Sequence, residues 1–127
     1  MAEHNIVGRK GEKTAEKFLR SKGYRVMRRG FRTKYAELDL ICSAPDGELV
    51  FVEVRTKTGE KFGSPEDTIG WDKMKRLARA AKAYASFRNY SGLYRIDAVC
   101  VVFEKGEEHN KPLRISHYEN ITGWCSL

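Results

Sequence analysis

Charged side chains lie inside two segments that otherwise have the composition of buried strands. The stretch AELDLICSAPDGELVFVEVRTK, residues 36–57, reads as two β-strands joined by a short turn, yet it carries Glu37, Asp39, Glu53 and Arg55. Burying a lone carboxylate is costly unless a cation offsets the lost hydration. These acids therefore either face water or converge on a cation.

The alternation of side chains along a strand predicts which of these groups meet. In the first strand one face carries Glu37, Asp39 and Ile41, and the other carries Ala36, Leu38 and Leu40. In the second strand Leu49, Phe51, Glu53 and Arg55 share a face. If the two strands pair as a hairpin, Asp39 and Glu53 become cross-strand neighbours, where like charges repel.

Two explanations of this acidic pair stay open at this point. A divalent cation would offset the repulsion, and Mg²⁺ needs only a few carboxylate oxygens, here from Asp39 and Glu53, together with a main-chain carbonyl and waters. Alternatively, the hairpin face is solvated and Arg55 is the counter-charge.

Cysteine and histidine chemistry is disfavoured by the spacing of these residues. The cysteines are Cys42, Cys100 and Cys125, and the histidines are His4, His109 and His117. There is no CxxC pair, and neither a zinc site nor a Cys/His nucleophile is indicated. We expect reduced, partly buried thiols.

A further carboxylate, Glu12, lies on the apolar side of a predicted first helix over about residues 5–22. At about 100° per residue, the apolar side carries Gly8, Glu12, Ala15 and Leu19, and the opposite side carries Lys10, Lys13, Lys17 and Arg20. An isolated glutamate in this position is more often a face-edge residue or the partner of a neighbouring base.

The remaining elements complete an α-β-β-β-α-β order. We predict strands over 24–32, 36–42, 49–55, 93–104 and 113–119, with a second helix over about 71–88. The fourth strand is apolar on both faces, which suits a central position, and the fifth suits an edge. The fold class is α/β, with a mixed central sheet flanked by helices.

The second helix has a basic side opposite its apolar arc. Its apolar arc consists of Met74, Leu77, Ala78, Ala81, Tyr84 and Ala85, and its basic side of Lys75, Arg76, Arg79 and Lys82. Lys73 lies at the margin of the arc, from which a long side chain can reach a site on the sheet. Alone, such a side is merely solvated. With the basic residues Arg28, Arg29, Arg32, Lys34, Lys57 and Lys61, it favours contact with phosphates.

Size and charge limit the classes of protein to consider. The 127 residues form one domain, 1–127, with a formal net charge of +7 that favours a polyanionic partner such as nucleic acid. No apolar run of membrane-spanning length is present, and residues 1–13 lack a signal-peptide core. We expect a cytoplasmic protein without a membrane partner.

The ordered set of short motifs resembles the YraN-like family of small bacterial proteins. The motifs are GE (11–12), ELDLI (37–41), FVEVR (51–55), FG (62–63), K-x-x-R-L-x-x-A-A (73–81) and RIDAV (95–99). The resemblance covers about residues 8–104. That family is similar to the PD-(D/E)XK nucleases and the archaeal Holliday junction resolvases, which implies a restriction-endonuclease-like fold.

The resemblance also implies roles for individual residues. Asp39 is the first acid of the nuclease motif, Glu53 and Arg55 form its E-x-K element, and Glu12 is the additional helix acid. Asp39 and Glu53 hold Mg²⁺, for which Mn²⁺ can substitute, with the Val54 carbonyl as a third ligand. Arg55 stands where the motif prefers lysine, and arginine can bind a phosphate but cannot act as a general base.

The resulting hypothesis is a single nuclease-like domain that hydrolyses DNA phosphodiesters with Mg²⁺, with branched or damaged DNA as substrate. The predicted catalytic set is Glu12, Asp39, Glu53 and Arg55, and the predicted nucleic-acid contacts are Lys57, Lys73, Arg76 and Arg79. Two alternatives stay open: a non-catalytic nucleic-acid-binding protein, and a protein-interaction module. A homodimer is also compatible with the sequence.

Overall fold

The computed structural model describes residues 2–105 and 111–122, in which five strands form one mixed sheet flanked by two α-helices. In chain order the elements are α1 (Ala2–Ser21), β1 (Arg25–Arg32), β2 (Glu37–Ser43), β3 (Leu49–Thr58), a 3-10 turn (Pro65–Thr68), α2 (Trp71–Phe87), β4 (Tyr94–Phe103) and β5 (Arg114–Tyr118). The predicted α/β order is confirmed. The 3-10 turn was not predicted, and β3 is longer than predicted.

The strands lie side by side in chain order, β1-β2-β3-β4-β5. The pair β3 and β4 is parallel, and the other neighbouring pairs are antiparallel. A parallel pair requires a crossover connection, which α2 provides between β3 and β4. As predicted, β4 is an interior strand and β5 an edge strand.

Local turn chemistry fixes the ends of these elements. The helix α1 ends at Ser21, and Gly23 follows with φ +90°, a conformation that favours glycine. The hairpin between β2 and β3 has Gly47 at φ +89°. There the side chain of Asp46 accepts the Glu48 N–H at 3.0 Å, a local bond typical of aspartate in turns.

Each face of the sheet packs against one helix. On the α1 side the buried cluster contains Ala15, Leu19, Leu40, Val50, Val52, Val99 and Val101. On the α2 side it contains Leu38, Ile41, Leu49, Phe51, Leu77, Ala81, Tyr84 and Ile96. Neither described helix combines the length and the apolar character that crossing a membrane requires.

The predicted alternation of β2 was wrong. Leu38 and Ile41, three residues apart, pack on the α2 side, whereas Leu40 packs on the α1 side. Side chains alternate between the two faces only along a regular strand. The regular pairing of β2 with β3 ends at Leu40. Beyond that point the Asp39 carboxylate, not a strand carbonyl, accepts the Val54 N–H. The phase of β2 therefore changes at Asp39.

Asp97 of β4 is a fully buried carboxylate at the centre of a polar network. It accepts hydrogen bonds from Arg95 Nε at 3.0 Å, His117 Nε2 at 2.8 Å and the Asn120 N–H at 2.9 Å. Burial acts to raise the pKa of Asp97, but these hydrogen bonds outweigh it and hold the pKa below its usual range. Asp97 therefore stays ionised in the folded protein.

The network joins elements that are distant in sequence. Arg95 also donates to Tyr24 Oη at 2.7 Å, and Lys22 Nζ lies 2.7 Å from His117 Nδ1. Tyr24 and Lys22 follow α1, Arg95 lies on β4, and His117 lies on β5. The network therefore ties the end of α1 to the interior and edge of the sheet.

We expect Asp97→Ala to destabilise the protein by about 3–5 kcal/mol, because it leaves the half-buried Arg95 and His117 without their shared acceptor. Equilibrium unfolding in urea gives this difference. The control is Glu119→Ala, because Glu119 is 59% exposed and 3.6 Å from the same arginine, so its loss should cost less than about 1 kcal/mol. Equal losses in the two variants would contradict a structural role for Asp97.

Candidate active site

Asp39 and Glu53 lie where β2 and β3 separate. The register of the hairpin ends with Leu40 opposite Val52, so Asp39 and Glu53 are the next residues along each strand. Asp39 Oδ2 accepts the Val54 N–H at 2.9 Å. This bond anchors the carboxylate of Asp39 to the backbone of β3, immediately beside Glu53.

Glu53 is 4% exposed and carries two cationic neighbours on one of its oxygens. Arg55 Nη2 lies 2.8 Å and Lys73 Nζ lies 3.7 Å from Glu53 Oε2. The other oxygen, Oε1, is buried and has no hydrogen-bond partner within residues 2–105 and 111–122. A buried oxygen without a partner is costly, and the neighbouring Asp39 can donate a hydrogen bond to Glu53 only while Asp39 is protonated. Once Asp39 is ionised, a cation can take the place of that proton. The predicted reach of Lys73 towards the sheet is confirmed.

The electrostatic environment of Asp39 disfavours its charge. Burial is the largest cause, and the negative charge of Glu53 adds to it, while the Val54 N–H acts in the opposite direction. Together these effects raise the pKa of Asp39 from 3.8 to about 8. Two neighbouring carboxylates in a poorly hydrated site show this behaviour.

Glu12 approaches this region from α1 because Gly11 allows close packing against β3. A Cβ at position 11 would collide with the side chain of Thr56. Glu12 is half-buried, and burial together with the charges of Glu37 and Glu53 raises its pKa. The charge of Glu12 also helps to raise the pKa of Asp39, so the three predicted acids are close enough to influence one another electrostatically.

The donor set fits a cation held by two carboxylates better than one held by three. Among the described residues, no group of three or more His, Cys, Asp or Glu side chains is arranged to hold a metal ion. Asp39, with its raised pKa, and Glu53, with its unpaired Oε1, fit Mg²⁺, which accepts few protein ligands and keeps several waters. Participation of the Val54 carbonyl and of Glu12 stays a prediction.

The basic side of α2 is exposed as predicted. Lys75, Arg76, Arg79 and Lys82 are all exposed, and Lys75 lies over the ring of Trp71. Elsewhere the basic residues are partly neutralised, since Arg29 pairs with Glu16 and Arg32 with Glu37. The basic side of α2 therefore begins beyond Lys73, which pairs with Glu53.

Within the described residues the cysteines and histidines form no group arranged to hold a metal ion, although Cys100 of β4 is the strand partner of Arg55. Cys42 and Cys100 are buried free thiols, and burial raises the pKa of each to about 12. Cys125, His109 and the side chain of His4 lie outside the described residues. Sequence reasoning missed the structural role of His117 beside Asp97, which depends on the pairing of β4 with β5.

Comparison with known proteins identifies similar sequences along most of the chain. The model of the family described as "Uncharacterised protein family UPF0102" matches residues 11–101. A "UPF0102 protein" of Bacteroides thetaiotaomicron is 38% identical over 117 residues, 92% of this chain and 92% of the relative. One from Syntrophomonas wolfei is 38% identical over 111 residues, 87% of this chain and 91% of the relative. One from Anaeromyxobacter dehalogenans is 40% identical over 116 residues, 88% and 80% respectively.

The raised pKa of Asp39 predicts a specific pH dependence of stability. Folding favours the protonated carboxyl, so its contribution is fully present below about pH 4 and is lost as the pH rises through about 8. In EDTA, wild type should therefore lose stability relative to Asp39→Asn between about pH 4 and pH 8, by up to about 1.4 kcal/mol per pH unit. Urea unfolding across this range measures the difference.

The matched control for that experiment is Asp46→Asn, since Asn retains the turn hydrogen bond and Asp46 is exposed. Its curve should run parallel to that of wild type. A parallel curve for Asp39→Asn as well would show that the folded protein does not disfavour the Asp39 charge.

Proposed function

The chain belongs to the uncharacterised protein family UPF0102, the YraN-like family, and from its site we propose that it is a metal-dependent DNA endonuclease. The observation that carries the proposal is the pair of half-buried Asp39 and buried Glu53, with one unpaired carboxylate oxygen beside two cationic side chains. This combination supports phosphodiester hydrolysis, because a bound cation and the two basic side chains would stabilise charge on the attacking and the leaving oxygen.

In this proposal Asp39 and Glu53 hold Mg²⁺, with Mn²⁺ as a substitute. When bound, the ion supplies charge neutralisation on the phosphate and makes a water more acidic. The bond from the Val54 N–H keeps Asp39 in place, and the pairing with Arg55 and Lys73 does the same for Glu53. Rigid ligands of this kind maintain the geometry that catalysis requires.

Arg55 and Lys73 act on the phosphate in different ways. The guanidinium of Arg55 stays protonated, so it offers a planar pair of donors to phosphate oxygens but accepts no proton. Lys73 offers a compact positive charge from the first turn of α2. A carboxylate must then accept the proton. Glu12 is the candidate, because its pKa is raised and because Asp39 and Glu53 are the proposed ligands of the ion.

The surface around the site supports DNA as the substrate. Arg76 and Arg79 are exposed along α2, and Lys57 extends from the end of β3. The formal net charge of +7 favours a polyanion in the same way. The α-β-β-β-α-β order is compatible with a restriction-endonuclease-like fold, which likewise supports a nuclease. Branched or damaged DNA is the substrate class that the family resemblance favours.

A second candidate is a nucleic-acid-binding protein without catalysis. One observation favours it: Arg55 and Lys73 already neutralise Glu53, so this carboxylate has counter-charges without any metal ion. In that case the basic surface of α2 binds DNA and the acids only stabilise the strand ends.

Cleavage by wild type and Asp39→Asn separates the two candidates. With Mg²⁺ or Mn²⁺ and linear, flapped and four-way DNA, wild type should cleave at least one substrate. Asp39→Asn should lower the rate by about 100-fold or more while binding stays equal or strengthens, because a ligand and a negative charge are both removed. Asp46→Asn is the matched control and should cleave normally. Equal rates for wild type and Asp39→Asn would contradict the nuclease proposal.

The salt dependence of binding tests the role of α2 separately. Replacing Arg76 and Arg79 by Ala should reduce the slope of log affinity against log salt by about 1–2, since each phosphate contact releases counterions. The control replaces Lys13 and Lys17, exposed on α1 at the opposite face of the sheet, and should leave the slope unchanged. An unchanged slope in the α2 variant would mean that this surface is only solvated.

A further inference from the structure

A cavity of about 280 Å³ lies beside the carboxylate pair. Its walls are the side chains of Ile69, Met74, Ala98, Cys100 and Ile121, with Tyr118 and Glu66 also lining it. Apart from Glu66, these residues present almost only apolar or aromatic groups. The cavity is therefore unlike the adjacent site, which consists of charged groups.

Strand register places the cavity next to Glu53 on the same face of the sheet. Glu53 pairs with Ala98, which pairs with Tyr118, and Arg55 pairs with Cys100. Paired residues on neighbouring strands point to the same face, and the strands lie about 4.8 Å apart. The carboxylate site and the cavity are thus adjacent strips of one surface.

The first turn of α2 borders both strips. Lys73 contacts Glu53 at 3.7 Å, and the next residue, Met74, lines the cavity. If a phosphate is bound at Arg55 and Lys73, the base of the same nucleotide can therefore reach the cavity. Arg55 and Lys73 supply charge complementarity for the phosphate, and the cavity supplies apolar contact.

The rim of the cavity is fixed by ion pairs. Glu66 accepts two hydrogen bonds from Arg114, at 2.6 and 3.0 Å, and one from Tyr118 Oη at 2.6 Å. These bonds hold the pKa of Glu66 at about 2 and orient the ring of Tyr118. Arg114 also pairs with Glu60, which ties the segment before α2 to β5. The cavity is therefore preformed.

We propose that this cavity takes one unstacked nucleobase of the DNA strand whose phosphodiester lies at Asp39 and Glu53. The inference rests on the proposed function and deepens it. A base is the part of a nucleotide with flat apolar faces, and a base within a duplex stack is inaccessible to such a cavity. The substrate would accordingly have an unpaired or extruded nucleotide next to the bond that is cleaved.

The test compares wild-type binding to two flapped DNA molecules in EDTA, so that no cleavage occurs. One carries a normal base at each flap position near the junction, and the other carries abasic residues there. Wild type should bind the first about tenfold or more tightly, because stacking on protein side chains contributes per base. Equal affinities would overturn the inference by themselves, even if every cavity variant failed to fold.

A cavity-filling variant locates the effect. Ala98→Ile should abolish the preference for the normal flap while leaving affinity for the abasic flap and the salt dependence unchanged. The control is Ser43→Ile, a comparable change beside a cavity of about 300 Å³ that Arg25, Tyr84 and Tyr90 also line. It should retain the preference. A preference that persists in Ala98→Ile, or a change in the oligomeric state of the free protein on this substitution, would overturn the assignment.

The cleavage assay with Asp39→Asn keeps the two proposals distinguishable. If wild type cleaves DNA but does not distinguish the two flaps, only the base-binding cavity is refuted. If wild type distinguishes the flaps but never cleaves, the cavity stands as part of a binding protein, and the nuclease proposal fails.

Discussion

The hydrogen bond from the Val54 N–H to Asp39 is the constraint on which the site depends. It replaces a ladder bond with a side-chain bond and so ends the pairing of β2 with β3. The phase of β2 changes at the same position, so Leu38 packs on the α2 side while Leu40 packs on the α1 side. The hydrogen bond also brings the carboxylate of Asp39 beside Glu53, where burial and like charge raise its pKa. The position of this one hydrogen bond therefore marks both the end of the strand pairing and the site where the pKa of Asp39 is raised.

The two faces of the sheet contribute differently to the molecule. The α1 side approaches β3 closely at Gly11, and the buried network around Asp97 links the end of α1 to β4 and β5. The polar groups of this network are paired with one another. The α2 side has an unpaired carboxylate oxygen on Glu53 and an apolar cavity. A ligand that contacts either of them would bind favourably, because it would satisfy the oxygen or bury apolar surface. The buried polar network thus lies on the α1 side of the sheet, whereas the proposed cavity and the unpaired Glu53 oxygen lie on the α2 side.

The sequence predicts the elements well because periodicity and turn residues are local signals. It also predicts the proximity of Asp39 to Glu53 and the reach of Lys73, since both follow from hairpin pairing and helical spacing. The phase change in β2 was missed, because a side chain that replaces a ladder bond leaves no trace in hydrophobic alternation. The role of His117 was missed as well, since it depends on the pairing of β4 with β5, twenty residues from Asp97.

The arginine at position 55 becomes understandable once Lys73 is seen beside Glu53. The nuclease motif that the sequence resembles has a lysine at the corresponding position, whereas β3 of this chain carries a guanidinium there. In the folded chain α2 supplies an ammonium group, with Lys73 Nζ 3.7 Å from the same Glu53 oxygen that Arg55 contacts at 2.8 Å. Under the proposed function the two cationic roles are divided: a planar donor pair from the strand orients the phosphate, and a compact charge from the helix stabilises it. An arginine at this position is then compatible with catalysis, because the lysine chemistry comes from a different element.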